Sequence, residues 1–285
     1  MRLVSYLDGG SQALGVLTGD RIAAATSLGG PATMAQLLAS GPEMLARLRA
    51  APPSGTDVAL DQVTLLAPVP EPANVVCVGR NYREHAAEEG LEPPQRPELF
   101  LKHTSAVTGP GTEIRWDPDY TRQVDFEVEL AAVIGTAARH VPVARALEYV
   151  AGYTCLNDVS ARDLQFGDAQ WARGKSLETF CPMGPALVTA DEIGEPQSLE
   201  VRSLLDGTVM QQANTADMWY SVAEVIAHCS AAFTLRPGDV IATGTPGGVG
   251  IFRDPPELLD DGRDITVEIE GIGRLVNRCR TSKNP

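Results

Sequence analysis

The sequence predicts an α+β fold in which strand dominates. Three observations carry that expectation: strand-like runs outnumber helical ones, many Gly/Pro turns separate them, and strands and helices do not alternate regularly. A doubly wound sheet needs that alternation. A mixed, mostly β domain with a small N-terminal α/β module fits better.

Residues 1–68 read as the small module. "RLVSYL", "ALGVLTG" and "RIAAATSL" have the length and Gly-bounded spacing of short strands. "TMAQLLASGPEMLARLRA" places Leu37, Leu38, Met44, Leu45 and Leu48 at helical spacing, and "APPSGTD" breaks the pattern. Pro68, Pro70 and Pro72 mark the boundary to a second unit, residues 69–285. There the strand candidates are "NVVCVG", "LFLKH", "VELAAVIG", "VAGYTCLND", "PALVT", "LEVRSLLDG", "DVIATG" and "DITVEIEGIG". Two segments read as clear helices, "VARALEYVA" and "WYSVAEVIAHCSAAFTL".

Composition narrows the function classes. The 285 residues are 44% hydrophobic and 21% charged, ordinary for a soluble globular protein. No apolar run reaches the roughly 20 residues that span a bilayer. The start "MRLVSYLDGG" lacks a secretion signal, and the five cysteines contain no C-x-x-C pair. Free thiols in a reducing cytoplasm are expected. A formal net charge of −14 argues against nucleic acid or an anionic membrane as the main partner.

The stretch "QVDFEVELAAVIG" sets the central problem. With period two, Asp125, Glu127 and Glu129 share a face with Ala131 and Val133, while Phe126, Val128, Leu130 and Ala132 share the other. Both faces end apolar, as if both were covered. Carboxylates at i and i+2 lie roughly 6–7 Å apart, close enough to reach one ion. A solvated edge strand fits the isolated E-x-E equally well.

Further segments add to it. In "GYTCLNDVSARDLQFGD" a strand reaches Asn157 and Asp158; Ser160 and Asp163 have capping-box spacing for a helix carrying Arg162 and Gln165 on one face. That suits a metal beside an anion, though a surface turn capped by Asp158 also fits. Lys175 sits in "WARGKSLETF", where a solvated lysine is the alternative. In "GRNYREHAAEEG", Asn81 is a candidate N-cap, Gly90 a stop, and His85 and Glu88 are i, i+3 neighbours, the spacing of a His–acid pair. His103, His140 and His228 lack such a partner and read as structural. "GDVIATGTPGGVG" lacks the G-K-[ST] of a phosphate loop and reads as a strand ending in a tight ligand loop with Thr245.

Together, "VCVGRNYREHAAE", "FLKHTSAVTGPG", "DFEVELAAVIG", "GYTCLNDVSARDLQ", "WARGKSLETFCPMGP", "GDVIATGTPGGVG" and "VEIEGIGRLVN" resemble the fumarylacetoacetate hydrolase family, in its shorter bacterial and acylpyruvase-like forms. The resemblance implies a mixed β-sandwich roll, usually a homodimer, with a divalent cation held by Glu127, Glu129 and Asp158. It further implies Lys175 beside the metal, Arg162 and Gln165 on the substrate's carboxylate end, Lys102 and Thr245 in the pocket, and His85–Glu88 as a water-activating pair. All-oxygen ligation selects Mg²⁺ or Mn²⁺, with Ca²⁺ possible in a crystal.

The expected reaction is C–C bond hydrolysis in acylpyruvates or related 2,4-dioxo acids, through a pyruvate enolate stabilised by the metal and Lys175. The rival is an oxaloacetate-type decarboxylase, or a hydroxymuconate-type isomerase or decarboxylase, using the same site. A structural Ca²⁺ site is the non-enzymatic reading, and the cations Lys175 and Arg162 count against it. The distal half of the substrate is expected to meet the N-terminal module, the "EEGLEPPQRPEL" segment and the loop after Gly244.

Overall fold

The computed structural model describes residues 1–51, 57–92 and 94–283. Most of the "APPSGTD" break and part of "EEGLEPPQRPEL" lie outside the described residues. Alternating apolar runs assemble a twelve-stranded mixed sheet and a five-stranded one, as the strand-rich pattern predicts. The strand Val128–Ile134 sits inside the large sheet, antiparallel to Val150–Asn157 on one side and to Val240–Ala242 on the other.

That strand shows why both of its faces are apolar. Val128, Leu130, Ala132 and Ile134 enter a core shared with Val201, Val267 and Ile269 of the second sheet and with the helix Val222–Ala232. Ala131 and Val133 enter a different core with Met34, Leu37 and Leu38. Each fully buried Leu, Ile or Val contributes about 1.5–3 kcal/mol. A strand covered twice leaves no solvated edge for Glu127 and Glu129, so that alternative falls.

The strands of residues 1–68 do not form a separate sheet. Arg2–Asp8 pairs with Cys181–Thr189 (Arg2 opposite Val188, Leu3 opposite Leu187), and the hairpins beyond it extend the large sheet.

Three local expectations are corrected. The single N-terminal helix is two, Met34–Ala39 and Pro42–Ala50, because Gly41 turns the chain at φ +78°. "VARALEYVA" forms a 3₁₀ turn, Val143–Tyr149, and its last residues open the strand Val150–Asn157. β-Branched Val150 goes to the strand, whereas Val143 and Tyr149 stay in the turn. Strands at Glu113–Trp116, Thr208–Asn214 and Gly273–Thr281 were not anticipated, and all belong to the second sheet. Gly273–Thr281 alternates buried Leu275, Asn277 and Cys279 with exposed Arg274, Val276, Arg278 and Arg280, a half-solvated pattern that short apolar-run reading passes over.

Candidate active site

The carboxylates converge because the chain breaks its own strand. Val124–Asp125 pairs with Ser160–Ala161, the ladder lapses at Phe126 and Glu127, and Val128 begins the long strand. Two reciprocal contacts hold the lapse: the Glu127 N–H donates to Asn157 Oδ1 at 3.0 Å, and the Asp158 N–H donates to the Glu127 carbonyl at 2.9 Å. Glu127, Glu129 and Asp158 thereby bring one oxygen each within 4.8 Å of one another, all buried.

Asp125 goes elsewhere, although the period-two reading put it on the same face. It accepts from Arg162 Nε at 2.9 Å and from the backbone N–H groups of Gly250 (2.8 Å) and Ile251 (3.0 Å). The break at Phe126–Glu127 resets the alternation.

Two short helices deliver the cations. Ala172–Lys175 is a single turn, and Lys175 Nζ donates to Glu127 Oε2 and Asp158 Oδ2, both at 2.8 Å. Gly174 permits this approach: a Cβ there would lie 2.6 Å from the Gln165 backbone nitrogen. The neighbouring helix Arg162–Gly167 carries Arg162, whose Nη1 lies 2.7 Å from Glu127 Oε1 and 3.0 Å from Gln165 Oε1. Lys102, on the strand Glu98–Lys102, reaches Asp158 Oδ1 at 2.5 Å and the Val159 carbonyl at 3.1 Å. Lys175 is buried and spends two of its three N–H donors on these carboxylates, so the solvated-lysine alternative fails.

The capping expectations are corrected. Ser160 bonds the Asp158 carbonyl and Asp163 accepts from Thr121, so neither caps the helix, whose N-cap is Ala161. Asn81 is likewise not the N-cap of Arg83–Glu88; that is Tyr82. Asn81 is buried, donating to the carbonyls of Tyr220 and Thr243. Gly90 does follow the helix end with φ +70°.

On that helix the His85 Nδ1 lies 3.3 Å from Glu88 Oε2. A carboxylate can only accept, so Nδ1 carries the proton and Nε2 is left as the basic nitrogen. Glu88 is itself fixed by the Gly248 N–H at 2.6 Å. Glu89 Oε1 stands 3.6 Å from Nε2, and Arg80 Nε holds the other oxygen of Glu89 at 2.7 Å.

The cavity enclosed here is lined by His85, Glu89, Glu127, Glu129, Gln165, Lys175 and Thr245, with Arg80, Phe100 and Trp171 on its outer side. Its free volume is about 10 Å³, room for one water and too little for a 2-oxo acid. His85 of the helix Arg83–Glu88 and the following Glu89 line it together with Glu127 and Glu129. Among the described residues none of the N-terminal module lines this cavity; the module extends the large sheet at its other end. Arg162 and Lys102 also lie behind the lining, against carboxylates. Arg80, Glu89, Phe100 and Trp171 were not singled out from sequence. Glu89 is i+4 from His85, a spacing that could have flagged it; Trp171 and Phe100 carried no signal.

The electrostatics separate the three carboxylates. Burial pushes Glu127 up, but Lys175 and Arg162 beside it outweigh burial and hold the carboxyl down at about 2. Glu129 goes the other way: burial, then Asp158 and Glu127, push it well above the usual carboxylate range. Among the described residues it gains one hydrogen bond, from the Gly244 N–H at 2.8 Å, and no cation touches it. Counting Asp125, the cluster has four carboxylates against Arg162, Lys102 and Lys175, one negative charge in excess. A buried all-oxygen triad with an unbalanced carboxylate fits a hard divalent cation.

Because Glu129 binds its proton more firmly folded than unfolded, the cation-free protein loses stability as pH rises from the unfolded value through the folded one. A cation at the triad replaces that proton. Mg²⁺ or Mn²⁺ should therefore raise Tm more at about pH 8 than at about pH 6 in calorimetry. Equal shifts at both would show that no proton leaves Glu129.

A strand-rich mixed fold that gathers three buried carboxylates beside a His–Glu pair has the donor set for a divalent cation, the arrangement expected of an enzyme that handles small acids at such a site. Comparison with known proteins agrees. The family described as fumarylacetoacetate (FAA) hydrolase C-terminal matches residues 74–280, and the one described as Rv2993c-like, N-terminal matches residues 1–68. The chain belongs to the fumarylacetoacetate hydrolase family. It is 43% identical to the mitochondrial oxaloacetate tautomerase FAHD2A of Bos taurus, over 87% of this chain and 80% of that one. It is 46% identical to protein Rv2993c of Mycobacterium tuberculosis, over 82% and 88%. Among solved structures, a putative HpcE protein from Mycobacterium smegmatis superposes with TM-score 0.90 at 35% identity, covering 99% of this chain and all of that one. A 5-carboxymethyl-2-hydroxymuconate delta-isomerase from the same organism gives 0.81 at 34%, with the same coverage. Maleylpyruvate hydrolase from Sphingobium gives 0.80 at 32%, again over 99% and 100%.

Proposed function

We propose that the chain is a divalent-cation-dependent enzyme that interconverts keto and enol forms of small 2-oxo diacids such as oxaloacetate. The observation that carries this is the buried triad of Glu127, Glu129 and Asp158, placed beneath a histidine oriented by Glu88. Sequence reasoning put C–C hydrolysis first. The names of the relatives, an oxaloacetate tautomerase and a hydroxymuconate isomerase, support the rival enolate chemistry better.

A bound Mg²⁺ or Mn²⁺ would supply Lewis-acid neutralisation of negative charge growing on the 2-oxo oxygen, an effect worth several kcal/mol. The chain's own residues do the rest. His85 Nε2 takes the proton from the carbon next to the 2-oxo group and returns it to the other site. Glu88 keeps Nδ1 protonated and so holds Nε2 basic. Lys175 supplies a positive charge beside the developing oxyanion, and Gln165 and Thr245 receive the carboxylate. Arg162 and Lys102 act from behind, holding Glu127 and Asp158 in place.

The helix Arg83–Glu88 must swing outward to admit the substrate, since the closed cavity has no room. The reading includes a homodimer in the cytoplasm, where five free, buried cysteines stay reduced. No helix of the described residues is long and apolar enough to cross a membrane.

Hydrolysis of acylpyruvates is the second reading, favoured by the same His85–Glu88 pair, which would activate a water equally well. The test is enol-oxaloacetate decay by ultraviolet absorbance beside pyruvate release from acetylpyruvate, with Mg²⁺ or Mn²⁺ present. Cation-dependent tautomerisation is expected, and His85→Ala should lower it about 100-fold or more while the cation-induced rise in Tm persists. Tautomerisation at background with rapid acetylpyruvate cleavage would reverse the assignment. Full activity in His85→Ala would remove the imidazole from it.

A further inference from the structure

One buried amide outside the cavity controls a hydroxyl inside it. Gln211 lies on the strand Thr208–Asn214 of the five-stranded sheet and is 1% exposed. Its Oε1 accepts from the Val128 N–H and from the Ser203 hydroxyl, both at 3.0 Å. Its Nε2 donates to the Pro246 carbonyl at 2.9 Å and to Thr245 Oγ1 at 2.8 Å.

This amide cannot be turned over. The Val128 N–H can only donate and the Pro246 carbonyl can only accept, so two backbone groups dictate which end is oxygen and which is nitrogen. Flipping it would set donor against donor and acceptor against acceptor in a dry interior, a loss of about 1–3 kcal/mol for each buried group left unpaired. Thr245 Oγ1 thus receives a hydrogen bond from Gln211, and its own proton must be directed elsewhere. Thr245 is itself buried, and it lines the cavity beside Glu127, Glu129 and Lys175. No group among the described residues accepts that proton.

We infer that Gln211 is a positioning residue that fixes the Thr245 hydroxyl as a hydrogen-bond donor into the cavity, aimed at an anionic oxygen of the bound acid. A hydroxyl has one proton and two lone pairs; with one lone pair taken by Gln211, the proton is excluded from that direction and, lacking a protein acceptor, is left for a carboxylate or enolate oxygen in the cavity. The same amide also ties the first residue of the strand Val128–Ile134 to the second sheet, so the donor and the carboxylate-bearing strand are registered together. The identity of the ligand rests on the proposed function; the direction of the hydroxyl does not.

Two measurements separate those claims. The first is oxalate affinity by titration calorimetry in the presence of Mg²⁺. Thr245→Val is expected to weaken binding about 10- to 100-fold, the size of a hydrogen bond to a charged group, and Thr245→Ser to recover most of that loss. Gln211→Met, which fills the same space without the amide, should weaken binding by severalfold in the native background and cause no further loss in Thr245→Val. Equal losses in both backgrounds would show that Gln211 acts independently of Thr245 and would overturn the inference. The second is a neutron structure of the unsubstituted protein, which needs no variant to fold. A deuterium on Thr245 Oγ1 pointing into the cavity supports the assignment, and one pointing at Gln211 or Pro246 overturns it. If the native enzyme binds no oxalate and turns over no 2-oxo acid, the proposed function fails, while the neutron result still decides the role of Gln211.

Discussion

Glu129→Gln is expected to abolish cation-dependent turnover, by about 10³ or more, while making the cation-free protein more stable. The two effects have one cause. Glu129 is 1% exposed and faces Asp158 and Glu127, and among the described residues no cation touches it, so without a metal the folded protein keeps it protonated, which costs stability near neutral pH relative to an unfolded chain in which it ionises freely. The amide keeps the volume, still accepts from the Gly244 N–H and has no proton to hold, so that cost disappears. A gain of about 1–3 kcal/mol in metal-free stability follows, the scale of relieving a buried unpaired polar group. Denaturant melts with chelator present and absent would read both effects. A variant less stable than the native protein in chelator would mean that Glu129 is already compensated, and the cation site would lose its main physical support.

Asp158→Ala should do the opposite to stability. Asp158 is fully buried and accepts from Lys102 at 2.5 Å and from Lys175 at 2.8 Å. Its removal leaves two buried ammonium groups each short of a partner, and breaking a buried ion pair in this way costs about 3–5 kcal/mol. The Tm should fall sharply, and added Mg²⁺ should no longer raise it. A melting temperature unchanged from the native value would show that the lysines find other partners, and that Asp158 does not anchor them. The contrast matters more than either number: two carboxylates of one triad should respond to neutralisation with opposite signs. A cluster of merely structural acids would not.

Much of this was legible in the residues. The twin apolar faces of "QVDFEVELAAVIG" required burial on both sides, and the structure supplies a core on each. Short-range spacing likewise placed His85 beside Glu88, because i, i+3 neighbours on a helix meet whatever surrounds them. Capping was less legible. Ser160–Asp163 and Asn81 have the right residue types, yet Ser160 bonds the carbonyl of nearby Asp158, while distant Thr121 and Thr243 engage Asp163 and Asn81.

By itself, then, the sequence determined the properties that depend on neighbours along the chain: the mostly β class, the strand that must be covered twice, the spacing of the histidine and its acid, and the family resemblance, which the family match over residues 74–280 bears out. Tertiary structure alone decided which charges meet. Asp125 left the face its alternation assigned because the strand lapses at Phe126, Arg162 and Lys102 were drawn against the carboxylates, and Gln211 of the second sheet bonds both Val128, 83 residues away in sequence, and Thr245, 34 residues away. The reason is physical. Periodicity reports how a residue faces its own strand or helix, whereas a buried charge or amide is settled by whichever partner the folded chain brings within about 3 Å, because leaving it unpaired in a dry interior costs more than any local preference can return.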